Sequence, residues 1–181
     1  MTPPRPPRKN ILLGVCGSSA ADDVAALVKL LQTFIAPSVV TVCTPSAVKF
    51  INLPAGQFTE DSAWHSAPLH VDLTVDAEEF IVCPATANTL AKSALGIADT
   101  LLTTCILAYH GPIWFFPFAN QALWDSAPTQ AHVATLRSRN HHVITPQAML
   151  GVGEDGRTKG VGCEWRTVIT TVLEHYLHDL G

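Results

Sequence analysis

Six small or polar residues, Pro84-Ala-Thr-Ala-Asn-Thr, directly follow the apolar run Glu79–Cys83 and open the stretch Leu90–Leu107. Those residue types suit the holding of an anion. Backbone N–H groups at a helix start and the hydroxyls of Thr86 and Thr89 can face a phosphate, and Ala87 and Asn88 are small enough to let it approach the main chain. The hexapeptide alone fits a capped βα loop equally well. The same kind of turn recurs, however: Gly17-Ser18-Ser19 follows Ile11–Cys16, Thr44-Pro-Ser46 follows Val39–Cys43, and Pro117-Phe118-Ala119-Asn120 follows Ile113–Phe116. No GxGxxG is present, so the usual dinucleotide fingerprint is missing.

Other chemistry-bearing residues are less organised. Cys16, Cys43, Cys83, Cys105 and Cys163 form no CxxC pair, which supports neither a zinc site nor a disulfide framework, and no metal is expected. Four of them lie in or beside apolar runs as small buried hydrophobes. Cys163, in Gly160-Val-Gly-Cys-Glu, reads as the exposed exception. Among the eight histidines, His175 and His178 near the end of the chain suit a helix C-terminus.

The elements that must position these turns alternate. Strands are expected at Ile11–Cys16, Val39–Cys43, Phe80–Cys83, Ile113–Phe116 and His142–Ile144. Helices are expected near 20–35, over 87–108 with a break at Gly96, near 128–139, and at about 164–179, where apolar residues recur at i, i+4. Residues 54–69 read as a long loop, and 147–163 as a glycine-rich flap bearing Glu154, Asp155, Arg157 and Lys159. Near-continuous apolar strands alternating with helices predict a three-layer, Rossmann-like α/β domain with a mostly parallel sheet, flavodoxin-like in plan, over residues 10–181 after a Pro-rich arm at 1–9. Ligands of such sheets bind at the carboxyl ends of the strands, where all four turns fall.

Composition narrows the classes. The 181 residues are 48% hydrophobic and 14% charged, enough for one well-filled core. A formal charge of −4 without a basic stripe argues against a nucleic-acid partner. No apolar run reaches membrane-spanning length and no signal-peptide core follows the N-terminal basic residues, so a cytoplasmic protein is expected.

Gly14-Val-Cys-Gly-Ser, Pro84-Ala-Thr-Ala-Asn-Thr with Ala98-Asp-Thr-Leu-Leu, and Pro117-Phe-Ala-Asn-Gln-Ala-Leu-Trp followed by Leu136-Arg-Ser resemble, in order and spacing, the homo-oligomeric flavin-containing Cys decarboxylases. Two branches of that family are the phosphopantothenoylcysteine decarboxylases and the epidermin/mersacidin-type peptidyl-cysteine decarboxylases. The resemblance implies a flavin, FMN first and FAD second, held by Gly17, Ser18, Ser19, Thr44, Ser46, Thr86, Ala87, Asn88 and Thr89, with Phe118 beside it. It places the active-site histidine at His70, ahead of an alternating segment, and the carboxylate-binding asparagine at Asn120. It also implies a homo-oligomer, trimer or dodecamer.

The family pattern Pro-x-Met-Asn-x-x-Met-Trp carries Ala119 and Leu123 here in place of its methionines, while Asn120 and Trp124 are kept. The phosphopantothenoylcysteine branch has an Ala-Cys-Gly motif whose Cys returns a proton to the product. Pro146-Gln-Ala-Met-Leu-Gly-Val-Gly contains no Cys. The resemblance therefore points to the peptide branch, whose substrate is a precursor peptide ending in Cys and whose product is the aminoenethiol used in S-aminovinyl-cysteine rings. The alternatives are the phosphopantothenoylcysteine reaction or a flavin-binding regulatory subunit without catalysis.

A C-terminal Cys loses CO₂ only if the departing electrons have an acceptor. Oxidation at Cβ to a thioaldehyde creates one, since its C=S takes up the electrons released on decarboxylation. The flavin would supply that redox step and the protein a base, an anchor and orientation. An imidazole titrating near ~6.5 suits the base.

Overall fold

The computed structural model describes residues 10–52, 59–60, 68–150 and 159–178. The arm at 1–9, most of the loop at 54–69, and Glu154, Asp155 and Arg157 lie outside the described residues.

Apolar runs form the centre. Strands β1 (Asn10–Val15), β2 (Ser38–Cys43), β3 (Thr59–Glu60), β4 (Glu79–Ala85), β5 (Ile113–Pro117) and β7 (His142–Val143) form a six-stranded sheet in the order β3-β2-β1-β4-β5-β7. Every pairing in it is parallel, for instance Leu13 with Thr41 and Ile81 with Trp114. The order reverses between β1 and β4, the topological switch point at which such folds open a ligand crevice.

Alternate residues of each strand feed two cores. Ile11, Leu13, Val15, Ile81 and Phe116 pack with Val24, Leu27 and Leu31 of α1 (Val24–Phe34) and with Val168, Ile169 and Val172 of α7 (Trp165–His178). Leu12, Val42, Phe80, Val82 and Phe115 face α3 (Ala87–Leu95), α4 (Leu101–Ala108) and α6 (Ala127–Ser138) through Leu90, Leu101, Leu102, Val133 and Leu136. Helix α4 lies so close to β1 that a Cβ on Gly14 would come within 2.5 Å of Leu102 Cδ1. The expected break at Gly96 is present. Gly96 takes φ 71°, a left-handed conformation that costs glycine little, and closes α3.

Four expectations change. Strand β3 lies within residues 54–69, which the sequence reads as a long loop, and pairs there with the end of β2. The segment around His70 is a helix, α2 (Leu69–Val75), although His70-Val-Asp-Leu-Thr-Val alternates polar and apolar like a strand. Leu69 and Leu73, at i, i+4, pack against the second core, and tertiary burial overrides the local pattern. The flanks of the glycine-rich segment are strands, β8 (Gln147–Leu150) and β9 (Lys159–Gly162), antiparallel to each other. Strand β9 also pairs with β6 (Ala119–Asn120), giving a second, three-stranded sheet β6-β9-β8. Finally, Cys163 is buried at 3% exposure, and burial pushes its thiol up to about 12. It joins the core of α7 instead of facing solvent. No described helix is long and apolar enough to cross a membrane.

Candidate functional site

Main-chain hydrogen bonds continue past the strand ends and lay the four turns side by side. The Thr44 amide donates to Val15 O at 2.9 Å, the Cys16 amide to Pro84 O at 3.1 Å, and the Phe118 amide to Ala85 O at 2.9 Å. The turns after β2, β1, β4 and β5 thus form one continuous rim at the carboxyl edge of the sheet.

Each turn is built for close approach. Ser18, in extended backbone, caps a 3-10 turn over Ser19–Asp23, its Oγ accepting from the Ala20 amide at 3.3 Å. Gly17 faces Ser46: an added Cβ would overlap Ser46 Oγ and lie 2.8 Å from the Ser46 carbonyl carbon. A side chain at that position would drive the two turns apart. Thr44 Oγ1 and Ser46 Oγ share a hydrogen bond of 3.1 Å. Thr86, also extended, caps α3 with Oγ1 accepting from the Thr89 amide at 3.3 Å, and the Thr86 and Thr89 hydroxyls are 3.2 Å apart. Ala87 is half-buried, Asn88 exposed and Thr89 buried.

Cys16 is the residue at this rim whose part the sequence did not announce. Its thiol hydrogen-bonds Thr89 and Thr86, which pulls its pKa down, but burial dominates and holds it above the ordinary value. The position of Cys16 as the last buried residue before Gly17 was the available signal. Cys83 is pushed far higher by burial, so neither thiol supplies a thiolate.

His70 lies on α2 and Asn120 at the end of β6. Helix α2 precedes β4 in the chain and packs against α4. Its C-terminal end is fixed beside the start of β1 by the Asn10 side chain, which donates to Asp76 O at 3.1 Å. His70, in the first turn of α2, lies at the other end of that helix, and its Nδ1 is buried. Asn120 ends β6, pairs with Gly160 of β9 and is exposed. Its Oδ1 accepts from the Ala122 amide at 2.8 Å, capping the single helical turn α5 (Gln121–Trp124). That cap commits the amide oxygen and leaves the Nδ2 group to donate outward.

Phe118 turns from the rim toward the second sheet. Its ring packs against Gly162 and lies 5.6 Å from that of Trp165. Trp124 is buried in the core. Trp165 and its hydrogen bond to Asp23 carried no signal in the sequence, since 142 positions separate them. His175, in the last turn of α7, sits against Trp114 and His142. Among the described residues no cluster of three or more His, Cys, Asp or Glu is placed to hold a metal.

The Flavoprotein family model matches residues 3–177. The chain is 31% identical over 149 residues to the coenzyme A biosynthesis bifunctional protein CoaBC of Haemophilus influenzae, covering 77% of this chain and 37% of that protein. It is 32% identical over 182 residues to CoaBC of Bacillus subtilis, covering 94% and 44%. The chain thus spans less than half the length of these relatives.

Among solved structures, a PPC decarboxylase mutant complexed with pantothenoylaminoethenethiol superposes with TM-score 0.83 at 28% identity, covering 93% of this chain and 98% of that one. The FMN-dependent cysteine decarboxylase SpaF superposes with TM-score 0.75 at 28% identity, covering 94% and 98%. The epidermin biosynthesis protein EpiD from Staphylococcus aureus, at 23% identity and TM-score 0.80, shares the fold over 90% and 99% of the two chains. A match running through nearly all of the sequence, on a sheet whose ligand edge carries four adjoining small polar turns, shows that the chain belongs to the Flavoprotein family.

Proposed function

We propose that the chain is an FMN-dependent decarboxylase of a C-terminal cysteine, acting on a precursor peptide. The residues present fit the cofactor's phosphate. The donor set is hydroxyls and helix-start amides, and Gly17 is packed so closely on Ser46 that the backbone itself forms the wall. Ser18, Ser19, Thr44, Ser46, Thr86 and Thr89 would hold it, with Ala87 and Asn88 at the start of α3. When bound, the flavin supplies a two-electron acceptor for oxidation of the cysteine side chain.

The chain's own residues supply the remainder. His70, at the first turn of α2, takes the thiol proton. Asn120 donates from Nδ2 to the terminal carboxylate, with its orientation fixed by the cap on Ala122. Loss of CO₂ from the oxidised cysteine then leaves an enethiol, which needs no further oxidant.

The observation that carries the peptide reading is the placement of the cysteines. All five are buried, and none lies on either strand of the β8–β9 hairpin beside Asn120. A thiol that returns a proton to a phosphopantothenoylcysteine product therefore has no residue here. The competing reading, phosphopantothenoylcysteine decarboxylase, is favoured by the CoaBC relatives. One assay separates the two. Incubated with FMN-loaded protein, a peptide ending in Cys should lose about 46 Da, the mass of CO₂ and two hydrogens. A loss of about 44 Da, CO₂ alone, from phosphopantothenoylcysteine with the peptide untouched would overturn the peptide reading.

Self-association belongs to the same proposal. Val71 and Val75 of α2, and Leu107 of the adjoining α4, remain exposed, a pattern suited to burial against further copies of the chain.

A further inference from the structure

We infer that Trp165 is a positioning residue that couples occupancy of the phosphate turn to the placement of strand β6, which ends in Asn120, and of its partner β9; this rests on the cofactor reading given above. Asp23 is the last residue of the 3-10 turn that begins at Ser19, and it occupies the N-cap position of α1. An aspartate there ordinarily caps the helix. Its side chain makes no cap bond. Instead Asp23 Oδ2 accepts from Trp165 Nε1 at 2.8 Å, a charge-assisted hydrogen bond to the first residue of α7.

Trp165 stands three residues after Gly162, where β9 ends, and its ring lies 5.6 Å from Phe118. Phe118 in turn packs so closely on Gly162 that a Cβ there would sit 2.7 Å from its ring and 2.5 Å from Met149 Sδ. Phe118 directly precedes β6, whose Asn120 pairs with Gly160. One continuous set of contacts therefore runs from the Ser18–Asp23 turn through the indole and Phe118 to the start of β6 and to its partner β9. An anion held at Ser18 and Ser19 fixes the turn, the turn fixes Asp23, and Asp23 sets the indole against which the hairpin rests.

Hydrogen exchange on FMN-loaded and flavin-free protein tests this without turnover. Trp165→Phe keeps a ring against Phe118 but deletes the donor, and Asp23→Ala deletes the acceptor. Both should speed exchange in 159–162 and 119–123 about tenfold in the loaded protein. Both should also abolish the extra protection that FMN gives those segments in the parent. Asp23→Asn, which keeps an acceptor, should behave as the parent, and exchange at Leu13 and Ile81 should not change. Unchanged exchange at 159–162 in Trp165→Phe and Asp23→Ala would overturn the proposal. An equal rise in the central strands would also overturn it, as general destabilisation. If the parent takes up no FMN, the cofactor reading fails by itself, and the exchange difference in flavin-free protein still decides whether the strut holds the hairpin.

Discussion

The Cys16 amide donates to the Pro84 carbonyl at 3.1 Å, and this bond joins the residue after β1 to the end of β4 at the point where the strand order reverses. Ser18 and Thr86, each the cap of the helical turn that follows it, stand two residues beyond Cys16 and Pro84.

Gly17→Ala tests how tightly the turns after β1 and β2 pack. The added methyl group meets Ser46 side chain and backbone together, so no rotamer change relieves it. Overpacking of this kind costs about 1–3 kcal/mol. Thermal melting should show the loss, and gel-filtered protein should retain little flavin. A variant that keeps parental melting and flavin content would show that the turns can separate freely.

Thr86→Val removes the hydroxyl that caps α3 and hydrogen-bonds Thr89, while keeping the side-chain shape. Stability should fall by about 1 kcal/mol, the usual worth of an N-cap. FMN affinity, measured by fluorescence titration, should fall with it.

Asn120→Asp separates structure from function at one residue. Aspartate caps α5 as well as asparagine does, so the melting temperature should hardly move. The donor to the substrate carboxylate becomes a like charge, and kcat/KM should drop by roughly 10²-fold or more. Equal activity in the two proteins would assign Asn120 to the cap alone.

His142 and His141 give the stability a pH dependence. His142 stacks on Trp114 with ring centroids 4.0 Å apart; burial, then the charge of His175, lowers its pKa below the ordinary 6.5. His141 is lowered by burial, then by Arg139 and His142, and its Nδ1 accepts from the Ile113 amide at 3.2 Å, a bond that Nδ1 protonation breaks. Below 6.5 the unfolded chain binds these protons more readily than the folded one. Stability is therefore full above that pH and declines as the pH falls through the window below it. Urea melts between pH ~7.5 and ~5 should show this, and His142→Phe, which keeps a ring on Trp114, should flatten the curve. A curve as steep as the parent's would remove His142 from the effect.

His70→Asn should keep bound flavin and lower turnover by roughly 10²–10⁴-fold, the range of general base catalysis. Decarboxylation at the parental rate would take that role from His70.

Strands β1, β2, β4 and β5 and their turns were legible because each is an apolar run ended by Gly, Ser, Thr or Pro, a signal independent of distant contacts, whereas β3, the two polar residues Thr59 and Glu60, carries no such signal. Helix α2 was not, since Val71, Thr74 and Val75 are β-branched and alternate, and only the packing of Leu69 and Leu73 makes them helical. The second sheet escaped because strands of two to four residues, one of them rich in glycine, carry no period. For Cys163, two nearby glycines suggested exposure, whereas the start of α7 folds it inward.

The central claim is that the adjoining turns at Gly17, Thr44, Thr86 and Phe118 grip a flavin. Adding FMN to purified protein, followed by gel filtration and an absorbance spectrum, tests it directly. Stoichiometric flavin should co-elute with the chain and be released on unfolding. Correctly folded protein that emerges colourless, with all of the FMN in the small-molecule fraction, would contradict it.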